Sequence, residues 1–190
     1  MNFFDSRGYV LLRSVRVAGA RVHVHWLALA LGGVVLGIWI RQPFHAAEAV
    51  ACYFGLILLH EVGHAAMARR LGYAAPDIYL GFMHGFCMYD HPDTLRDGAL
   101  IAWGGVLAQM AVALPLLALD QIPGFSALPF VGIVVVAFGY FSVLIAAVNL
   151  VPMRGCDGAK AWRLLPLLLA DLRAGAKAKK ATRDLMRRLK

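Results

Sequence analysis

Residues 56–72 read Leu56-Ile57-Leu58-Leu59-His60-Glu61-Val62-Gly63-His64-Ala65-Ala66-Met67-Ala68-Arg69-Arg70-Leu71-Gly72. The stretch continues an apolar run from Ala46 that is long enough to cross a bilayer. Two imidazoles and a carboxylate are costly in hydrocarbon, so ionisable groups kept there mark function. His60 and His64 are one helical turn apart on the same face, where both can hold one Zn²⁺. Glu61 stands between them, placed to take a proton from a metal-activated water.

Composition agrees with a membrane location. The chain has 190 residues, 61% of them hydrophobic and 16% charged, and a mean hydropathy of +0.67. A soluble domain carries roughly 25% charged residues. The length suits one membrane domain of about four spans, with no room for an appended regulatory domain. The net charge of +8 is not read as a nucleic-acid footprint. Its basic residues border apolar segments and fill the C-terminal tail, where anionic lipid is the expected partner. Cys52, Cys87 and Cys156 are odd in number and scattered, which argues against a disulfide framework. The first apolar run lies behind Arg7, Arg13, Arg16 and Arg21 without a small-residue cleavage site after it, so it reads as a retained span.

The expected fold is an all-α polytopic membrane protein. Spans are expected over about 24–40, 46–69, 98–119 and 130–150, with Pro115 as a kink in the third. Residues 73–91 hold Pro76, Gly81 and Gly85 among Phe, Tyr and Met, and read as a short re-entrant or interfacial β-like segment covered by protein. Tyr9–Val17 and Arg21–His25 could form a surface hairpin with Gly19 in its turn. A C-terminal interfacial helix is expected from Asp157. The chain divides into an N-terminal cytosolic or interfacial segment (1–21), a membrane core (22–170) and a basic tail (171–190). Lys and Arg fall overwhelmingly on one side: four before the first span, Arg69, Arg70 and Arg96 between spans two and three, and eleven after span four. That bias places both termini in the cytosol.

A catalytic zinc usually has three protein ligands and an open position. The best third ligand is Asp157, in Asn149-Leu150-Val151-Pro152-Met153-Arg154-Gly155-Cys156-Asp157-Gly158, just beyond span four on the same side as the His pair. Pro152 and Gly155 let the chain turn back there. An Asp-Gly pair before a helix is also an ordinary N-cap.

Together the two motifs resemble the site-2 protease family of intramembrane metalloproteases, over about residues 20–170. Val22-His23-Val24-His25-Trp26 also resembles the family's entry to its first span. The resemblance implies one zinc per chain on His60, His64 and Asp157, with Glu61 as general base and Asn149 as a hydrogen-bond donor near the site. It implies a transmembrane protein as substrate, unwound locally, and a multi-pass location in a plasma (bacterial inner) membrane. Control would then come from partner membrane proteins or prior trimming of the substrate. Segment 73–91 could offer an edge strand to that substrate.

One departure stands out. Where the family often has Gly-Pro…Asn, this chain has Gly104-Gly105-Val106-Leu107-Ala108-Gln109. Gln109 and Asn149 also suit plain interhelical hydrogen bonds. His84 could approach the metal or be merely solvated, and His23 and His25 fit the interface. The rival function is a membrane metal transporter or sensor using the same ligands without hydrolysis. It would have no need of Glu61. A silent relative that only binds partners is a further rival.

Overall fold

The computed structural model describes residues 8–81 and 84–188. Strands β1 (Tyr9–Val17) and β2 (Ala20–His25) lead into helix α1 (Trp26–Ile38) and helix α2 (Pro43–Arg70). Strands β3 (Asp77–Leu80) and β4 (Gly85–Met88) precede helix α3 (Leu95–Leu119). Then follow α4 (Val131–Val134), a π-helical stretch (Val135–Phe141), α5 (Ser142–Asn149), α6 (Gly158–Ala161) and α7 (Leu164–Arg188).

Three helices are long and apolar enough to cross a membrane: α2, α3 and the continuous 19-residue run Val131–Asn149, with mean hydropathies of 1.4, 1.9 and 2.6. A span needs roughly 20 residues. Large apolar side chains such as Leu107, Leu114, Val136, Leu144 and Val148 are exposed along these helices. In water such a surface would drive association, whereas against lipid it costs nothing. The expected first span is shorter than its apolar run. Val24 and His25 belong to β2, and the His25 side chain accepts from the Leu27 N–H to cap α1. The 13 residues of α1 reach only about 20 Å. Three helices of spanning length and one shorter apolar helix therefore stand where four spans were expected.

The β structure is more extensive than the sequence suggested. The N-terminal hairpin and the 77–88 hairpin join into one sheet, ordered β1-β2-β3-β4. The join is a parallel pairing of β2 with β3, Arg21 opposite Asp77 and Val24 opposite Leu80. Residues Ala18 and Gly19 both have positive φ (48° and 78°) in the β1–β2 turn, the backbone that a two-residue hairpin connection requires. Alternation sets the two faces of the sheet. Ala20, Val22, Val24, Ile78 and Leu80 pack with Ala65, Ala68 and Ile101 in the core. On the other face His23 stacks on Tyr79 and Tyr79 on Phe86, with centroids 4.4 and 4.8 Å apart.

Helix α3 starts three residues before the expected Gly98. The Thr94 hydroxyl accepts from the Asp97 N–H (3.0 Å) and donates to the Asp97 carboxylate (2.8 Å), a side-chain cap that holds the first turn. Pro115 lies inside α3 as read. The C-terminal region is two helices, α6 and α7, and α7 runs unbroken through the segment read as a tail.

A candidate metal centre

Helices α2 and α3 touch through glycine. A Cβ on Gly63 would strike the Gly104 carbonyl, and one on Gly104 would strike that of Gly63. Small residues let helix backbones approach this closely inside a membrane. Gly105 faces the two imidazoles directly: a Cβ there would lie 2.6 Å from His60 Cε1 and 2.7 Å from His64 Nε2. The pair Gly104-Gly105, a departure in the sequence, is thus the space that the His pair occupies.

Asp157 arrives from the other side. Gly158 packs so tightly on the Leu150 carbonyl that no side chain fits there. Trp162 donates its indole N–H to the Leu150 carbonyl (2.7 Å), and Trp103 of α3 donates to Ala161 (3.1 Å). The two indoles meet edge to face at 5.8 Å. These contacts fix α6 against α3. Asp157 occupies the N-cap position of α6, but its side chain makes no cap hydrogen bond. The carboxylate turns instead to the His pair.

Three atoms converge. His60 Nε2 and His64 Nε2 are 3.1 Å apart, and Asp157 Oδ2 lies 3.0 Å from the first and 3.2 Å from the second. Zinc bonds of about 2.0–2.1 Å at tetrahedral angles separate ligand atoms by roughly 3.3–3.4 Å, so the triangle has nearly the size of one face of such a site. The tautomers fit too. His60 donates its Nδ1–H to Gln109 Oε1 at 3.0 Å, and His64 donates Nδ1–H to the Ile101 carbonyl at 2.7 Å. Each ring then turns a bare lone pair inward. Two lone pairs and a carboxylate facing one another repel unless a cation sits among them. The residues present fit a zinc ion.

The surroundings are dry. His60, Glu61 and His64 are 8%, 4% and 6% exposed, and Gln109 is fully buried. Glu61 lies within electrostatic reach of both His residues and Asp157, and its carboxylate accepts the Cys87 backbone N–H. Strand β4 lies over Glu61 so closely that a Cβ on Gly85 would come within 2.9 Å of Oε1. Asn149, the last residue of α5, directs its amide nitrogen to His60 Nε2 at 3.3 Å. Burial would raise the Asp157 carboxyl, but hydrogen bonds from His60 and His64 outweigh it and hold it below the usual carboxylate range.

The five residues singled out in the sequence, His60, Glu61, His64, Asn149 and Asp157, therefore meet in one place. Gln109 joins them as the partner of His60, a position that its likeness to an interhelical amide did not reveal. His84 is exposed. His23 instead pairs with Asp77 at 2.8 Å on the sheet.

A comparison with protein-family profiles returns no match, and one with curated proteins returns none. Among solved structures, the chain is similar to the site-2 protease from Methanocaldococcus jannaschii. The TM-score is 0.64 at 21% identity, over 83% of this chain and 71% of that chain. The chain thus shares the site-2 protease fold, and it carries a metal-competent His60–His64–Asp157 group within that fold.

Proposed function

We propose that the chain is an intramembrane metalloprotease that binds one zinc ion and hydrolyses peptide bonds in or near membrane-spanning segments of other proteins, with both its termini in the cytosol. The observation that supports this most directly is the convergence of His60, His64 and Asp157 beside a buried carboxylate that is not needed as a ligand. A bound zinc supplies a Lewis acid for the scissile carbonyl and a water acidic enough to react at neutral pH. The remaining roles belong to the chain. His60 and His64 hold the metal by Nε2 because Gln109 and Ile101 fix their Nδ1 protons. Glu61 takes the proton of the attacking water and returns it to the leaving amine. The Asn149 amide donates to the oxygen on which negative charge develops. β4 is the last strand of the sheet on the side of Glu61, so an unwound substrate can add beside it through main-chain hydrogen bonds.

The test is reconstitution in liposomes with single-span substrates, comparing wild type with Glu61→Gln. The variant should keep its zinc and lose at least about a hundredfold in cleavage rate. Full cleavage by Glu61→Gln would overturn the mechanism, and metal transport by that variant would favour the transporter reading.

A further inference from the structure

The β1–β2 turn folds over the C-terminal end of α2 and encloses a cavity of about 300 Å³ lined by Arg16, Arg21, Arg69, Gly19 and the chain at Ala74–Pro76. Three guanidinium groups share this space. Arg16 and Arg21 are directly opposed in the antiparallel ladder, an arrangement of like charges that destabilises a strand pair. Arg69 is held in place. Its Nη2 donates to the Ala75 carbonyl at 2.8 Å, and its guanidinium lies where a side chain on residue 19 would have to go. The carboxylate nearest to these groups, Asp77, is engaged by Arg21 through two hydrogen bonds of 2.8 and 2.9 Å and by His23. Among the described residues no carboxylate pairs with Arg16 or Arg69.

We infer that this cavity binds a phosphate group, carried by a lipid head group at the membrane surface. A phosphate accepts several guanidinium N–H bonds at once and would relieve the opposition of Arg16 and Arg21. The level is right for lipid: α2 ends at Arg70, so Arg69 stands where a spanning helix leaves the hydrocarbon, and basic pockets at that depth are suited to phospholipid head groups. Free phosphate offers the same chemistry from solution.

The full chain in neutral detergent is titrated with sodium phosphate against sodium chloride at matched ionic strength. A second arm titrates phosphatidylglycerol against uncharged, phosphate-free diacylglycerol. The readout in both is the unfolding temperature. A saturable rise specific to the phosphate-bearing ligand is expected, with half-saturation moved about tenfold higher by Arg16→Gln, the loss of one charge-assisted contact, and less by Arg16→Lys. Arg16 is exposed, so Arg16→Gln should leave the ligand-free unfolding temperature unchanged; the basic α7 is intact in it and cannot produce the difference. A response in the lipid arm assigns the head group, and a response confined to the inorganic arm assigns a soluble phosphate at the same site. Equal rises with chloride and diacylglycerol, or half-saturation unmoved in both Arg16→Gln and Arg69→Lys, would overturn the inference.

Discussion

Gln109 Oε1 accepts the Nδ1 proton of His60 at 3.0 Å, on the ring edge opposite the nitrogen that meets Asp157. The contact orients the imidazole and selects its tautomer. Removing such a partner from a metal-binding His lowers metal affinity by about 10–100-fold. Gln109→Leu should show that loss in competition with a fluorescent zinc chelator, while Gln109→Glu, which keeps an acceptor, should retain most of the affinity. An unchanged affinity in Gln109→Leu would make the contact mere packing.

The absence of a side chain at Gly105 is a condition of the site. Gly105→Ala drives a methyl into both imidazoles, so zinc binding should fall sharply, and overpacking should cost about 1–3 kcal/mol. Gly158→Ala should weaken zinc binding by a different route, because it pushes α6 off the Leu150 carbonyl and carries Asp157 with it. Zinc stoichiometry after dialysis reads both. Full occupancy in either variant would contradict the packing described.

Cys87 should be chemically quiet. Burial, aided by the neighbouring Glu61 carboxylate, pushes its thiol from 9.0 up to about 12, which cuts the thiolate fraction at pH 8 by roughly a thousandfold. Alkylation by iodoacetamide should be correspondingly slower than for free glutathione and should accelerate only as the pH approaches 12. Rapid labelling at pH 8 in folded protein would show that β4 is open.

The sheet should weaken in acid. Burial raises the Asp77 carboxyl, but the Arg21 and His23 hydrogen bonds outweigh it, so the folded value lies below the usual 3.8. Stability from this group is therefore complete above the unfolded pKa of about 3.9 and lost as pH falls through the lower folded value. Asp77→Asn should cost about 1–3 kcal/mol at pH 7 and flatten the acid limb of unfolding temperature against pH. An unaltered limb would place the acid sensitivity elsewhere.

The core of the site was legible because its residues announce their cost. His60, Glu61 and His64 are polar groups in an apolar helix, and Asp157 lies in a turn marked by Pro152 and Gly155. Gln109 was harder to read, since a lone amide in a span bonds to many kinds of neighbour. Gly104 and Gly105 were seen only as a departure, because what matters about them is the absence of atoms facing another helix. The sheet was half visible. Each hairpin has local turn signals, but the parallel pairing of Arg21 with Asp77 joins residues 56 apart and leaves no local trace. The start of α3 could have been read from Thr94 and Asp97, a cap signature passed over among the prolines and glycines nearby.

The glycine contact between α2 and α3 has a consequence for how the molecule is held together. His60 and His64 belong to a helix pair locked backbone to backbone, whereas Asp157 and Asn149 come from α5, α6 and the turn between them. An ion shared by His60, His64 and Asp157 acts as a clasp between two separately built halves. Closing the clasp and loading the metal are then one equilibrium, and free zinc concentration becomes a variable of conformation as much as of chemistry.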